Sequence, residues 1–290
     1  MSRIKVDFWN DCVVWMRHEL IALGHTPPAD DIETAAHYVN LQRRRVRPRG
    51  RTVSIAEGLI VPAHRRNAFD ALLGKMSTGE DLNPHLSRSV LRDANNDDAL
   101  LNDWGMHHLH LGTRFDADGF VERTDDVVFA IVHWDRVYVA GIGRHGEWAA
   151  HRLIDAVDEN WPELLTPLAL VGGTRLSPDQ HQLARKRGVW AVTVPRDGRP
   201  VMAPGGGYST SGRGVRVSMR VGRMRYAMAA LQERFMSLVP EIEAHLDANA
   251  PEVTPDFHLV EDDGRFVAVD NRACIRVVLC TPEEAAQVDA

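Results

Sequence analysis

Lysine is nearly missing from this chain: three positions carry it, against 31 arginines. Arginine therefore does the routine work of solvating the surface, and a run of arginines is not by itself a nucleic-acid signature. Cysteine is just as scarce. Cys12, Cys274 and Cys280 form no CxxC pair, so no disulfide framework is expected and a reducing cytoplasm is the simplest reading. No apolar run approaches the roughly 18 to 20 residues that cross a bilayer, so no membrane association is expected. The opening MSRIKVDFWNDC is charged every few residues and lacks an apolar core, so no secretory leader is expected either. Several chemistries also lack their signatures. There is no HExxH, no GxxxxGK[ST], no GxGxxG and no GxSxG, and Ser209, Thr210 and Ser211 have no adjacent base.

The hydrophobic patterning is that of a mixed chain. Residues 4–23 carry Ile4, Phe8, Cys12 and Trp15 at helical spacing and stop at GHTPP. Further helices are predicted over 30–42 and within AHRRNAFDALLGKMSTGEDL, with TVSIAEGLIVP a short strand between them. MHHLHLG, DVVFAIV and RVYVAGIG then read as three strands, the last two joined by HWDR in an antiparallel hairpin. GEWAAHRLIDAVDENWPE follows as a helix beginning near Glu147 and stopping at Pro162. Beyond it GVWAVTVP and VRVSMRV read as strands, 224–248 as a long helix, DFHLVEDDGRFVAVD as a hairpin around Asp263-Gly264, and CIRVVLC as a last strand. APGGGYSTSGRG reads as a flexible surface loop, with phosphate contact through its backbone N–H groups as the alternative. The fold class expected is α+β: a helical N-terminal region, a small central antiparallel sheet packed on one helix, and a mixed C-terminal unit. A boundary near 165–180 divides 1–165 from 180–290.

Two clusters stand out. QRRRVRPRGR, residues 42–51, holds six arginines and no acid although the net charge is −6. It reads either as a phosphate-binding basic patch built on Arg43, Arg44, Arg45 and Arg47, or as ordinary arginine solvation. The second cluster is histidine. Six of fourteen lie between 107 and 151, three of them in NDWGMHHLHLGTRF. On a strand, side chains alternate, so His108 and His110 share the face opposite Leu109 and Leu111, and His107 falls on the leucine side. Attachment points two residues apart are roughly 6 to 7 Å apart, suited to one metal ion or one substrate group. His145, in IGRHGEW at a strand-to-helix junction, is the third candidate. Arg144, Arg114 and Tyr138 are candidate substrate-phosphate ligands, with Thr113 a further hydrogen-bond partner. His133 reads as a turn residue and His151 as solvated.

Three functions remain open from these residues. The first is a metal-independent, histidine-dependent ribonuclease, in which His108, His110 and His145 share acid/base roles on RNA without metal or cofactor. The second is a non-catalytic binding protein, with DWG as a structural turn: Trp104 filling core, Asp103 capping and Gly105 at a special φ. The third is a metal-dependent hydrolase using the H-x-H pair as ligands, although HLHLGT lacks the Asp-His of H-x-H-x-D-H and the glutamate of the cupin pattern. Oligomeric state is not encoded in any of these features.

The blocks GEDLNPHLSR, LLNDWGMHHLHLG and DDVVFAIVHWDRVYVAGIGRHGEWAAHRLIDAVDENWPE, spanning about 79–163, resemble a poorly characterised group of bacterial proteins with the same block order. The order of helices before a small antiparallel sheet is similar to that of the barnase and RelE-type toxin nucleases. That resemblance implies metal-independent RNA cleavage, a toxin or defence setting and a protein antitoxin as partner, with no residue roles attached.

Overall fold

The computed structural model describes residues 4–169, 173–250, 252–262 and 265–280. The fold is mixed α+β, in the order β1 (Lys5–Val6), α1 (Phe8–Ala22), α2 (Asp31–Arg44), β2 (Thr52–Ile55), α3 (Arg66–Thr78), α4 (Ser89–Arg92), α5 (Ala99–Trp104), β3 (Met106–His110), β4 (Asp126–Val132) and β5 (Arg136–Arg144). There follow α6 (His151–Asn160), β6 (Thr166–Pro167), α7 (Pro178–Lys186), β7 (Val201–Met202), α8 (Val215–Asn249), β8 (Asp256–Asp262), β9 (Arg265–Asp270) and β10 (Ile275–Val278). Among the described residues no helix is long and apolar enough to cross a membrane.

The chain divides into two compact units. One comprises residues 1–38 with 219–290, the other residues 39–218. The expected boundary near 165–180 falls inside the second unit, because the two ends of the chain fold together. In that first unit β1 pairs in parallel with β8, within a sheet ordered β1-β8-β9-β10. Phe8 of α1 is buried edge-on against Phe235 of α8, 5.7 Å between rings, and Phe235 meets Phe257 of β8 at 4.8 Å. The hairpin of β8 and β9 matches the expectation, while its Asp263-Gly264 turn lies outside the described residues.

The second unit is built on a sheet ordered β2-β5-β4-β3, antiparallel except for the parallel pairing of β2 with β5. Three of its strands are the ones expected for the central sheet; β2, expected as a separate short strand, joins them as a fourth. Alternate residues serve two buried faces. Met106, Val127, Phe129, Ile131, Tyr138 and Ala140 pack against Leu153, Ile154 and Val157 of α6. Leu109, Val128 and Val139 are buried on the other face. Because β3 and β5 flank β4 and both oppose it, they run in the same direction, and their C-terminal ends lie at one edge of the sheet.

Elsewhere tertiary packing overrides the local pattern. VRVSMRV is not a strand: it is the first two turns of α8, and Val217 and Val221, four residues apart, are its buried positions. Apolar residues at every second position include an i, i+4 pair, so the spacing fits either element. GVWAVTVP makes only an isolated bridge, Thr193 to Val201. APGGGYSTSGRG is not a loose surface loop. Residues 205–208 are buried, and a Cβ at Gly105 would sit 2.8 Å from Pro204 Cβ and 2.9 Å from the Gly205 amide.

Candidate metal centre

Residues 103–110 carry a structural half and a chemical half. Asp103 is buried in α5 and receives His181 Nε2 at 2.6 Å and Arg185 Nε at 2.7 Å on the same oxygen. Arg185 lies over the Trp104 ring at 4.1 Å, and Trp104 Nε1 donates to Thr193 Oγ1. Gly105 closes α5 with φ +73°, a conformation that favours glycine. Trp104 and Gly105 thus have the structural roles expected of them, whereas Asp103 anchors a buried ion cluster rather than capping the turn.

Beyond Gly105, β3 alternates as predicted. His107, 7% exposed, lies on the face of Leu109, away from the other two. Burial pushes it down to about 4. His108 and His110 project from the opposite face at the sheet edge where β5 also ends, and His145 follows one residue after that strand. The His145 amide donates to the Asp125 carbonyl, extending the pairing of β4 and β5 past Arg144. One ring nitrogen from each of His108, His110 and His145 lies within 4.8 Å of the others. The rings of His110 and His145 are nearly parallel, 5.5 Å apart, and His108 stands almost perpendicular to both at 6.0 and 5.8 Å.

Each imidazole has a different setting. His110 is 2% exposed; its Nδ1 lies 3.3 Å from the carbonyl oxygen and from the amide of Thr124, and its Nε2 is buried without a hydrogen-bond partner. With Nδ1 donating to the Thr124 carbonyl, Nε2 keeps a free lone pair, the tautomer that a metal-ligating histidine takes from its backbone partner. Thr124 is fixed in turn: its hydroxyl accepts from the Leu111 amide and donates to the Asp126 carbonyl. His108 is half-buried and His145 exposed, so the cluster opens to solvent on one side. Arg123 Nη2 donates to His145 Nε2 at 2.8 Å. Trp148 forms a wall, its ring 4.5 Å from His108 and 4.7 Å from His145, and its carbonyl accepts from Arg185.

Burial pushes His108 and His110 down to about 4, with the neighbouring histidines and Arg123 acting in the same direction. His145 is also held below its ordinary value, by burial and then by Arg123. All three rings are therefore favoured in the neutral form that binds metal. Three ligands around a tetrahedral ion with metal–nitrogen bonds near 2.0–2.1 Å are about 3.4 Å apart, so side-chain rotations of an ångström or so close this cluster on an ion.

The other sequence candidates fall elsewhere. Tyr138 is buried toward the opposite end of β5, against Trp161 and His133. Arg114 is exposed and paired with Glu122 at 2.7 Å. Arg144 is exposed at the strand end, and the helix expected at Glu147 begins only at His151, so no helix N-terminus faces His145. His133 is the exposed turn residue expected, but His151 accepts from Arg175, which also pairs with buried Asp155. The arginine run is not an open basic patch. Arg44 is 2% exposed and donates to the Asp93 and Ala94 carbonyls, Arg43 to Asn102, and Arg51 to the His133 carbonyl. Arg45 is half-buried and only Arg47 of the four is exposed. Arg44 and Arg51 thus satisfy backbone carbonyls that folding would otherwise strand, and Arg43 donates to the Asn102 side chain.

Arg123 and Trp148 are the site residues the sequence did not reveal: one sits in the polar link between β3 and β4, the other in a segment patterned like core helix. No family model, curated protein or solved structure matches the chain.

Proposed function

We propose that His108, His110 and His145 bind a divalent transition-metal ion and that the protein is a metal-dependent hydrolase. The observation that carries this reading is the convergence of three ring nitrogens within 4.8 Å, together with a buried His110 Nε2 that has no hydrogen-bond partner. An unpaired polar atom in a buried position costs free energy, and coordination would recover it. Three protein ligands would leave a fourth position open, and the cluster is exposed on the side of His145. A divalent ion held by His108, His110 and His145 would supply Lewis acidity and a water acidic enough to act as nucleophile near neutral pH.

The metal-free ribonuclease scheme uses the same three residues and draws support from Arg123, a cation at the cluster's edge. It requires one imidazolium near neutral pH. The burial that holds His108 and His110 near 4 opposes this.

One assay separates the two. Wild type and His110→Ala are assayed on p-nitrophenyl acetate, bis-p-nitrophenyl phosphate and RNA, after EDTA treatment and after reloading with zinc or manganese. The metal reading expects turnover that disappears in EDTA, returns on reloading and is absent from the variant. Cleavage of RNA in EDTA that His110→Ala abolishes would establish the metal-free scheme instead.

A further inference from the structure

We propose that Arg123 is the substrate-anion receptor of this centre, and that the substrate class is a phosphate ester whose oxyanion bridges the metal ion and the Arg123 guanidinium. The inference rests on the three-histidine metal reading and names what such a centre would take.

Charge balance is the first argument. Among the described residues the ligand set is three histidines, with no aspartate, glutamate or cysteine joining the group. Neutral imidazoles leave a divalent ion with its full charge, and Arg123 adds a further positive charge at His145. Such a centre attracts an anion, and a phosphate dianion offsets more of that charge than a carboxylate does.

Position is the second. Arg123 is exposed at the open side of the cluster, and its Nη2 occupies the lone pair of His145 Nε2 at 2.8 Å. An ion binding at that nitrogen displaces the guanidinium, because one lone pair cannot serve both. The displaced fork stays next to the metal with its donors free, and its geometry matches two oxygens of a phosphate. Of the two arginines that flank the cluster in sequence, Arg114 is held by Glu122, and Arg144 is exposed at the end of β5.

The probe is inorganic phosphate added to the cobalt-loaded full-length protein, with visible absorption reporting on the ion's coordination. Wild type is expected to bind cobalt and to show a saturable spectral change with phosphate. Acetate should require at least about ten times the concentration. Arg123→Ala is expected to bind cobalt as well as wild type or better, having lost a competitor for His145, and to need about 10- to 100-fold more phosphate for the same change. Arg123→Lys should recover part of the affinity. Equal phosphate titrations for wild type and Arg123→Ala, or acetate binding as well as phosphate, would overturn this inference while leaving the metal centre intact. Failure of wild type to bind cobalt at all overturns the metal reading, and the inference with it.

Discussion

His108 and His110 were legible as a pair because a strand has a period of two, and β3 keeps that period from Met106 to His110. His145 could be singled out from its place at a strand end. Its partners could not: Arg123 reaches His145 across 22 residues of sequence, and no spacing rule encodes that approach. Burial of these imidazoles has a consequence for stability. An unfolded chain gives a histidine an ordinary pKa near 6.5, whereas His107, His108 and His110 are pushed to about 4 in the fold. Between those values the unfolded state takes up protons that the folded state refuses. The stabilising contribution of the neutral rings is complete above about 6.5 and declines as pH falls toward 4, with a slope of up to about 1.4 kcal/mol per pH unit for each histidine. Urea midpoints of the metal-free protein at pH 7, 6, 5 and 4 check this. A flat profile across that window would show that these rings are not desolvated as described.

Asp103 shows how a residue next to the site serves the fold. Its carboxylate is the shared partner of two buried side chains, His181 and Arg185. Asp103→Ala leaves the Arg185 guanidinium buried without its counter-charge and is expected to cost about 3–5 kcal/mol, read as a lowered urea midpoint. The same substitution loosens the Arg185 bond to the Trp148 carbonyl, so metal affinity should fall as well.

At the scale of elements, strands predicted by alternation and helices predicted by apolar stripes were recovered wherever the flanking turns were decisive. α1, α3, β3, β4 and β5 all formed near their expected positions. The failures share a cause. VRVSMRV has a spacing that both a strand and a helix accept, and continuity with the apolar stripe of α8 decides for helix. The glycines of APGGGYSTSGRG look like flexibility in sequence, yet Gly205 packs on the backbone of Asn102 and Asp103, and Gly207 and Gly214 leave room for the side chains of Trp190 and Asn102. A Cβ at Gly141 of β5 would likewise stand 2.8 Å from Leu153 Cδ2, so small residues on this strand let α6 approach the sheet. Gly105 combines close packing with a positive φ, and Gly105→Ala is expected to destabilise by at least about 1 kcal/mol. Thermal unfolding of that variant tests the role assigned to the α5–β3 turn.

At the scale of the molecule, the two ends of the chain build one compact unit and the middle builds the other. A reading in chain order has no way to see this, since the pairing of β1 with β8 joins residues about 250 positions apart. Phe8 is the test residue: it is fully buried between elements from both ends, and Phe8→Ala is expected to cost about 3–5 kcal/mol through the cavity it leaves. A far smaller loss in chemical denaturation would mean that the ends do not close on each other. The arginine run at 43–51 teaches the same lesson at this scale. It looked like a surface patch in sequence, and folding turned several of its members inward to satisfy carbonyls of distant segments.

The central claim, that three histidines brought together by the ends of β3 and β5 bind one metal ion, is tested most directly by metal titration. Purified protein is stripped with chelator and titrated calorimetrically with zinc, alongside His110→Ala and His107→Ala. The account predicts one ion per chain for wild type and for His107→Ala, whose ring lies on the other face of the sheet, and loss of that binding in His110→Ala. Absence of stoichiometric binding by wild type, or equal binding by wild type and His110→Ala, would contradict it.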